Sequence, residues 1–140
     1  MKIFRTKTLI RAPAERIWAL LIDAPAYPSW NTTIDKLVGK IGPGEKLKIF
    51  AKLNPGRGFG VRVTEFDRHQ RMVWTGGLPF GLFKGVRTFL LVPRDGAVEF
   101  RMQEVFSGPL GRLIEGSLPD MQPAFDEFAA ALKARAEAGS

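Results

Sequence analysis

The chain has 140 residues, of which 45% are hydrophobic and 25% charged, a balance that fits one globular domain over residues 1–140 and excludes a disordered or fibrous protein. The absence of cysteine excludes disulfide frameworks, thiol catalysis and thiolate metal sites. The net charge of +7 comes from 21 Lys and Arg interleaved with 14 Asp and Glu, without a basic run or nucleic-acid motif, so a solvated basic surface and no nucleic-acid partner are expected.

The opening residues, Lys2-Ile3-Phe4-Arg5-Thr6-Lys7, alternate in polarity, which predicts a strand over 2–11 with Phe4, Thr6, Thr8 and Ile10 on one face. Such a start lacks the unbroken apolar stretch of a signal peptide, and no window approaches the roughly 18 apolar residues of a spanning helix, so a cytoplasmic protein is expected. Pro13 suits the first turn of a short helix in which Ala14, Ile17, Trp18 and Leu21 share a face. Asp23-Ala24-Pro25 ends it, and Ala26 to Trp30 reads as a second short helical piece. From Thr32 to Phe106 short alternating runs are separated by turn residues, predicting strands over 33–41, 45–53, 59–67, 71–77, 84–93 and 97–106.

After Gly108-Pro109 the period becomes helical up to Ala138, with Leu110, Leu113, Ile114, Leu118, Met121, Phe125, Phe128 and Leu132 in one apolar stripe. Pro119 and Pro123 interrupt it, so the helix is predicted to kink or to restart at Ser117, whose Asp120 completes a capping pair. One sheet face and one helix stripe must bury each other. The expected fold is α+β: a curved antiparallel sheet of about seven strands around a long, kinked C-terminal helix, with two short helices between the first two strands.

Three segments carry a resemblance. They are Ile10-Arg11-Ala12-Pro13-Ala14-Glu15-Arg16-Ile17-Trp18-Ala19-Leu20-Leu21-Ile22-Asp23 with Tyr27-Pro28-Ser29-Trp30-Asn31, then Glu104-Val105-Phe106-Ser107-Gly108-Pro109-Leu110, and Phe125-Asp126-Glu127-Phe128 with Leu132-Lys133. Together they resemble the START-related (SRPBCC) superfamily of polyketide cyclases, lipid-transfer domains and pollen-allergen-type binders. The resemblance implies a helix-grip fold with an internal apolar cavity. It names no chemistry, because members include binders, carriers, cyclases and chaperone-ATPase activators.

In a meander alternate loops share one end of the sheet. The turns near 42–44, 67–70 and 93–96 are polar and tight, whereas the opposite end collects 54–58, 78–83 and 107–109. That end carries Leu78, Phe80, Leu82 and Phe83, which form either the rim of a cavity mouth or a plug folded back into the core. A rim flanked by Arg57 and Lys84 would also suit transient contact with an anionic membrane.

For the cavity, alternation nominates Ile49, Val61, Val63, Trp74, Phe100 and Met102 on the sheet, Met121 and Phe125 on the helix, and Trp30 and Phe80 towards the mouth. Two polar residues fall in phase with these faces: Thr88 with Val86 and Leu90, and Glu104 with Phe100 and Met102. Either would fix a ligand hydroxyl or carbonyl, and Glu104 would alternatively form a salt bridge or meet a helix terminus.

No catalytic constellation is nominated. His69, the one histidine, belongs to a polar turn away from the proposed mouth, and no metal-ligand cluster is visible. Gly56-Arg57-Gly58-Phe59-Gly60 lacks the lysine and following helix of a phosphate loop, so no cofactor is expected. The leading expectation is a binder or carrier of a hydrophobic small molecule. A cyclase or hydrolase using Glu104, and a partner-binding module of the chaperone-ATPase-activator kind, are the alternatives.

Overall fold

In the computed structural model, which describes residues 2–52, 56–110 and 120–138, the alternating runs become seven strands. They are β1 (Lys2–Ile10), β2 (Ile34–Gly39), β3 (Lys46–Ala51), β4 (Phe59–Asp67), β5 (Arg71–Gly77), β6 (Lys84–Arg94) and β7 (Ala97–Ser107). Every neighbouring pair is antiparallel, in the order β1-β7-β6-β5-β4-β3-β2, so the first strand closes against the last. Register shifts at Ile34/Lys36 and Val63/Glu65 put a bulge in β2 and in β4, which bends those strands.

Two helices fill the β1–β2 connection: α1 (Ala14–Ile22), whose first turn is opened by Pro13, and α2 (Tyr27–Trp30), with a single tight turn between them. The buried face of α1 is Ile17, Trp18 and Leu21, as its spacing predicts. The Tyr27 hydroxyl donates to the Leu21 carbonyl at 2.6 Å and ties the two helices together.

The C-terminal helix, α3 (Gln122–Ala138), lies against the concave face through Phe125, Phe128, Ala129, Leu132 and Ala136. Asp120 accepts the Gln122 N–H at 3.1 Å and caps it, and Pro123 falls in the first turn, where its missing N–H costs no helical bond. The predicted helical stretch with Leu113, Ile114, Ser117, Leu118 and Pro119, and with it the expected kink, lies outside the described residues, as do Asn54 and Pro55. Polar bonds fix α3 to β1: Thr6 Oγ1 donates to Asp126 at 2.9 Å, Gln122 Nε2 to the Arg5 carbonyl at 2.6 Å, and Lys133 Nζ to the Leu9 carbonyl at 2.7 Å.

One predicted face is wrong. Phe89 lies opposite Met72 and Met102, and all three are fully buried under α3. Paired residues in an antiparallel sheet share a face, so β6 presents Arg87, Phe89 and Leu91 inward. Thr88, with Val86 and Leu90, lies on the outer face instead, where Thr88 pairs with Val73 and Gln103. Both phases of this strand carry apolar residues, and the one with the larger aromatic took the core although it brings Arg87 with it.

Candidate functional site

The concave face is crossed by a continuous row in which Val63, Trp74, Arg87, Glu104 and Phe4 are successive partners on β4, β5, β6, β7 and β1. At its centre the Arg87 Nε donates to a Glu104 carboxylate oxygen at 2.6 Å, with only 14% of each side chain exposed. The guanidinium also lies over the Phe125 ring, 4.9 Å from its centroid, so helix and sheet share this charge. Burial pushes the Tyr27 phenol far above its ordinary range, with the nearby Arg87 charge opposing that shift. A charged pair in such a place is stable only with good geometry, which the short bond supplies.

Around the pair the interior is aromatic. Phe128 is the hub: it stacks on Phe100 at 6.1 Å, meets Phe89 at 6.2 Å, and takes Trp30 edge-on at 5.8 Å. Trp74 packs on Phe89 at 4.6 Å. The indole N–H groups of Trp30 and Trp74 and the Asn31 amide are buried donors with no hydrogen-bond partner among the described residues. Each such donor costs about 1–3 kcal/mol unless an acceptor reaches it.

Of the nominated residues, Trp74, Phe100, Met102, Glu104, Phe125 and Trp30 come together here, with Val63 in the same row. Ile49, Val61 and Met121 are half-buried at the margin of the core. Phe80 stands apart with 98% of its surface exposed, and Thr88 is on the other side of the sheet. Arg87 was missed. Once Glu104 is placed inward, cross-strand charge pairing is the signal that would have found it, because a half-buried carboxylate needs a cation opposite.

At the end where β5 and β6 are joined, Ile3, Phe59, Leu78, Phe80 and Leu82 are all exposed. Phe80 is held at φ 62°, a left-handed conformation that a bulky side chain rarely adopts, and it projects its ring into solvent. Phe83 turns the other way and stacks on Phe106 at 5.7 Å. The Leu110 N–H donates to the Leu82 carbonyl at 2.9 Å, joining this loop to the exit of β7. His69 sits in the β4–β5 turn at the opposite end, half-buried against Trp18.

Comparison with known proteins gives one family and a set of shared folds. The family model described as polyketide cyclase / dehydrase and lipid transport matches residues 1–137. A START superfamily protein from Mycobacterium smegmatis superposes with a TM-score of 0.71 at 18% identity, over 99% of both chains. The Zhui aromatase/cyclase from a Streptomyces species gives 0.74 at 13% identity, covering 97% of this chain and 93% of that one. Among curated proteins, oxopyrrolidines biosynthesis cluster protein O of Penicillium oxalicum is 30% identical over 46% of this chain, and the match spans 41% of that protein's length.

Proposed function

The chain belongs to the polyketide cyclase/dehydrase and lipid-transport family, and from that premise we propose that it holds a hydrophobic small molecule, lipid-like or polyketide-like, between the concave sheet face and α3. The observation that carries this reading is an aromatic interior in which the buried side-chain groups without a partner, among the described residues, are all donors: the Trp30 and Trp74 indoles and the Asn31 amide on the side of the Arg87–Glu104 pair, and the Trp18 indole against Phe66 and His69. An apolar ligand bearing carbonyl or hydroxyl oxygens matches that interior, since its body suits the aromatic rings and its oxygens accept from the waiting donors.

The exposed end with Leu78, Phe80 and Leu82 is the access route in this proposal, and Lys84 and Arg57 beside it favour brief contact with an anionic bilayer during loading. Glu104 is tied to Arg87, so its part is to orient that cation rather than to shuttle protons. This favours binding over a cyclase or hydrolase reaction at this carboxylate.

Prodan, a neutral naphthyl ketone, tests the reading. Saturable binding with a blue-shifted emission and quenching of protein tryptophan is expected, weakened in Arg87→Met and in Trp74→Phe. Binding that does not saturate, or that ignores both substitutions, would place the ligand elsewhere.

A further inference from the structure

Away from the interior, the outer face of β2–β5 holds a groove of about 540 Å³, lined by Val38, Lys46, Lys48, Gly60, Arg62 and Thr75 with backbone of neighbouring residues. Alternation fixes the side: Leu37, Leu47, Val63 and Trp74 are buried inward, so Val38, Lys46, Lys48, Arg62 and Thr75 point outward. None of the three cations makes an ion pair with an acidic side chain among the described residues; Arg62 spends one N–H on the Gly44 carbonyl at 3.1 Å. Residues 34–62 contain seven basic and two acidic side chains, a net +5 of the chain's +7.

Four glycines are among the groove's lining residues. Gly39 and Gly77 have φ of 119° and 140°, and a Cβ on Gly76 would lie 2.6 Å from the Gly60 carbonyl oxygen, so backbone geometry accounts for those three. Gly60 is different: its φ lies outside the left-handed region, and a Cβ there would meet nothing within 4 Å. A strand glycine that neither conformation nor packing requires leaves the backbone open to close approach from outside.

We propose that this groove is a second binding site, separate from the interior, that takes a phosphate group borne by a small molecule or a lipid headgroup. The three cations that line the groove can neutralise a phosphate dianion once the Lys48 ammonium, which rests over Phe50, swings onto it; Arg62 supplies directed donors, and the open floor at Gly60 lets the group sit close to the sheet. Val38, half-exposed beside it, meets the apolar portion of the molecule.

Titration with phenyl phosphate, followed by amide NMR shifts, tests the site. Saturable shifts centred on Gly60, Thr75 and Gly76 are expected, with Lys48→Gln and Arg62→Gln each weakening binding about tenfold, as loss of one charge-assisted hydrogen bond does. Gly60→Leu keeps every charge and has room to fold, so it should abolish binding at an unchanged melting temperature. Cosedimentation with phosphatidylcholine vesicles, with and without phosphatidic acid, separates the sources. Gly60-dependent binding to the acidic vesicles identifies a headgroup, and Gly60-dependent binding to phenyl phosphate alone identifies a soluble ligand. Wild-type affinity in Gly60→Leu, or shifts spread over all basic residues without saturation, would overturn the proposal in favour of diffuse attraction.

Discussion

Arg87 and Thr88 are adjacent in sequence and separated by the thickness of the sheet, and this gives the sharpest single-residue test of the structure. Arg87→Met strands the Glu104 carboxylate in a half-dry interior and should cost about 3 kcal/mol, whereas Thr88→Val on the outer face should stay within about 0.5 kcal/mol. Urea unfolding measures both, and equal losses would mean that the inward phase of β6 is misassigned. Glu137 makes a pH-dependent prediction. It accepts the Arg11 N–H at 2.9 Å and pairs with Lys133 at 2.7 Å, and these partners, the Arg11 bond first, hold its carboxyl below the usual carboxylate range. A carboxylate with a depressed folded value stabilises the fold above its ordinary 4.5 and loses that contribution as pH falls through the folded value. The melting temperature of Glu137→Gln should therefore fall less steeply than that of the wild type on acidification below 4.5, and parallel curves would refute the clamp.

At the scale of elements, the loop between β5 and β6 and the helix α3 present aromatic residues of opposite meaning. Phe80 is exposed and strained, so Phe80→Gly should raise stability by about 1 kcal/mol by relieving the left-handed backbone, and Phe80→Ser with Leu82→Ser should change it little. Phe125 is 2% exposed between Phe4 and the Arg87 guanidinium, and Phe125→Ala should cost about 3–5 kcal/mol. Denaturant unfolding of the three variants compares them directly. A loss in the Phe80/Leu82 pair as large as that in Phe125→Ala would mean that the loop plugs the core and that the route to the interior lies elsewhere.

For the whole molecule the governing feature is closure of β1 on β7, which brings residues about a hundred positions apart into register before α3 can dock. Contacts of such separation carry a large loop-closure cost, so refolding followed by tryptophan fluorescence should occupy milliseconds to seconds, and a microsecond phase carrying the full amplitude would contradict it. The periodicity that makes strands and helices is local, which is why the chain alone determined seven strands, the two short helices, the helical C-terminus and the apolar end of the meander, with strand ends within two residues of those observed. It also determined the inward phase of β7, where Phe100 and Met102 leave no choice, and hence the place of Glu104. The inward phase of β6 was beyond it, because Val86 and Leu90 are as apolar as Phe89 and Leu91, and only pairing with Met72 and Met102 selects between them. The basic groove was equally beyond it: Val38, Lys48 and Gly60 are scattered among acidic and apolar neighbours in sequence, and become one surface only when β2, β3 and β4 align. Spacing along a chain fixes which way each residue faces relative to its own neighbours, whereas which faces meet is settled by strand pairing across the whole sheet.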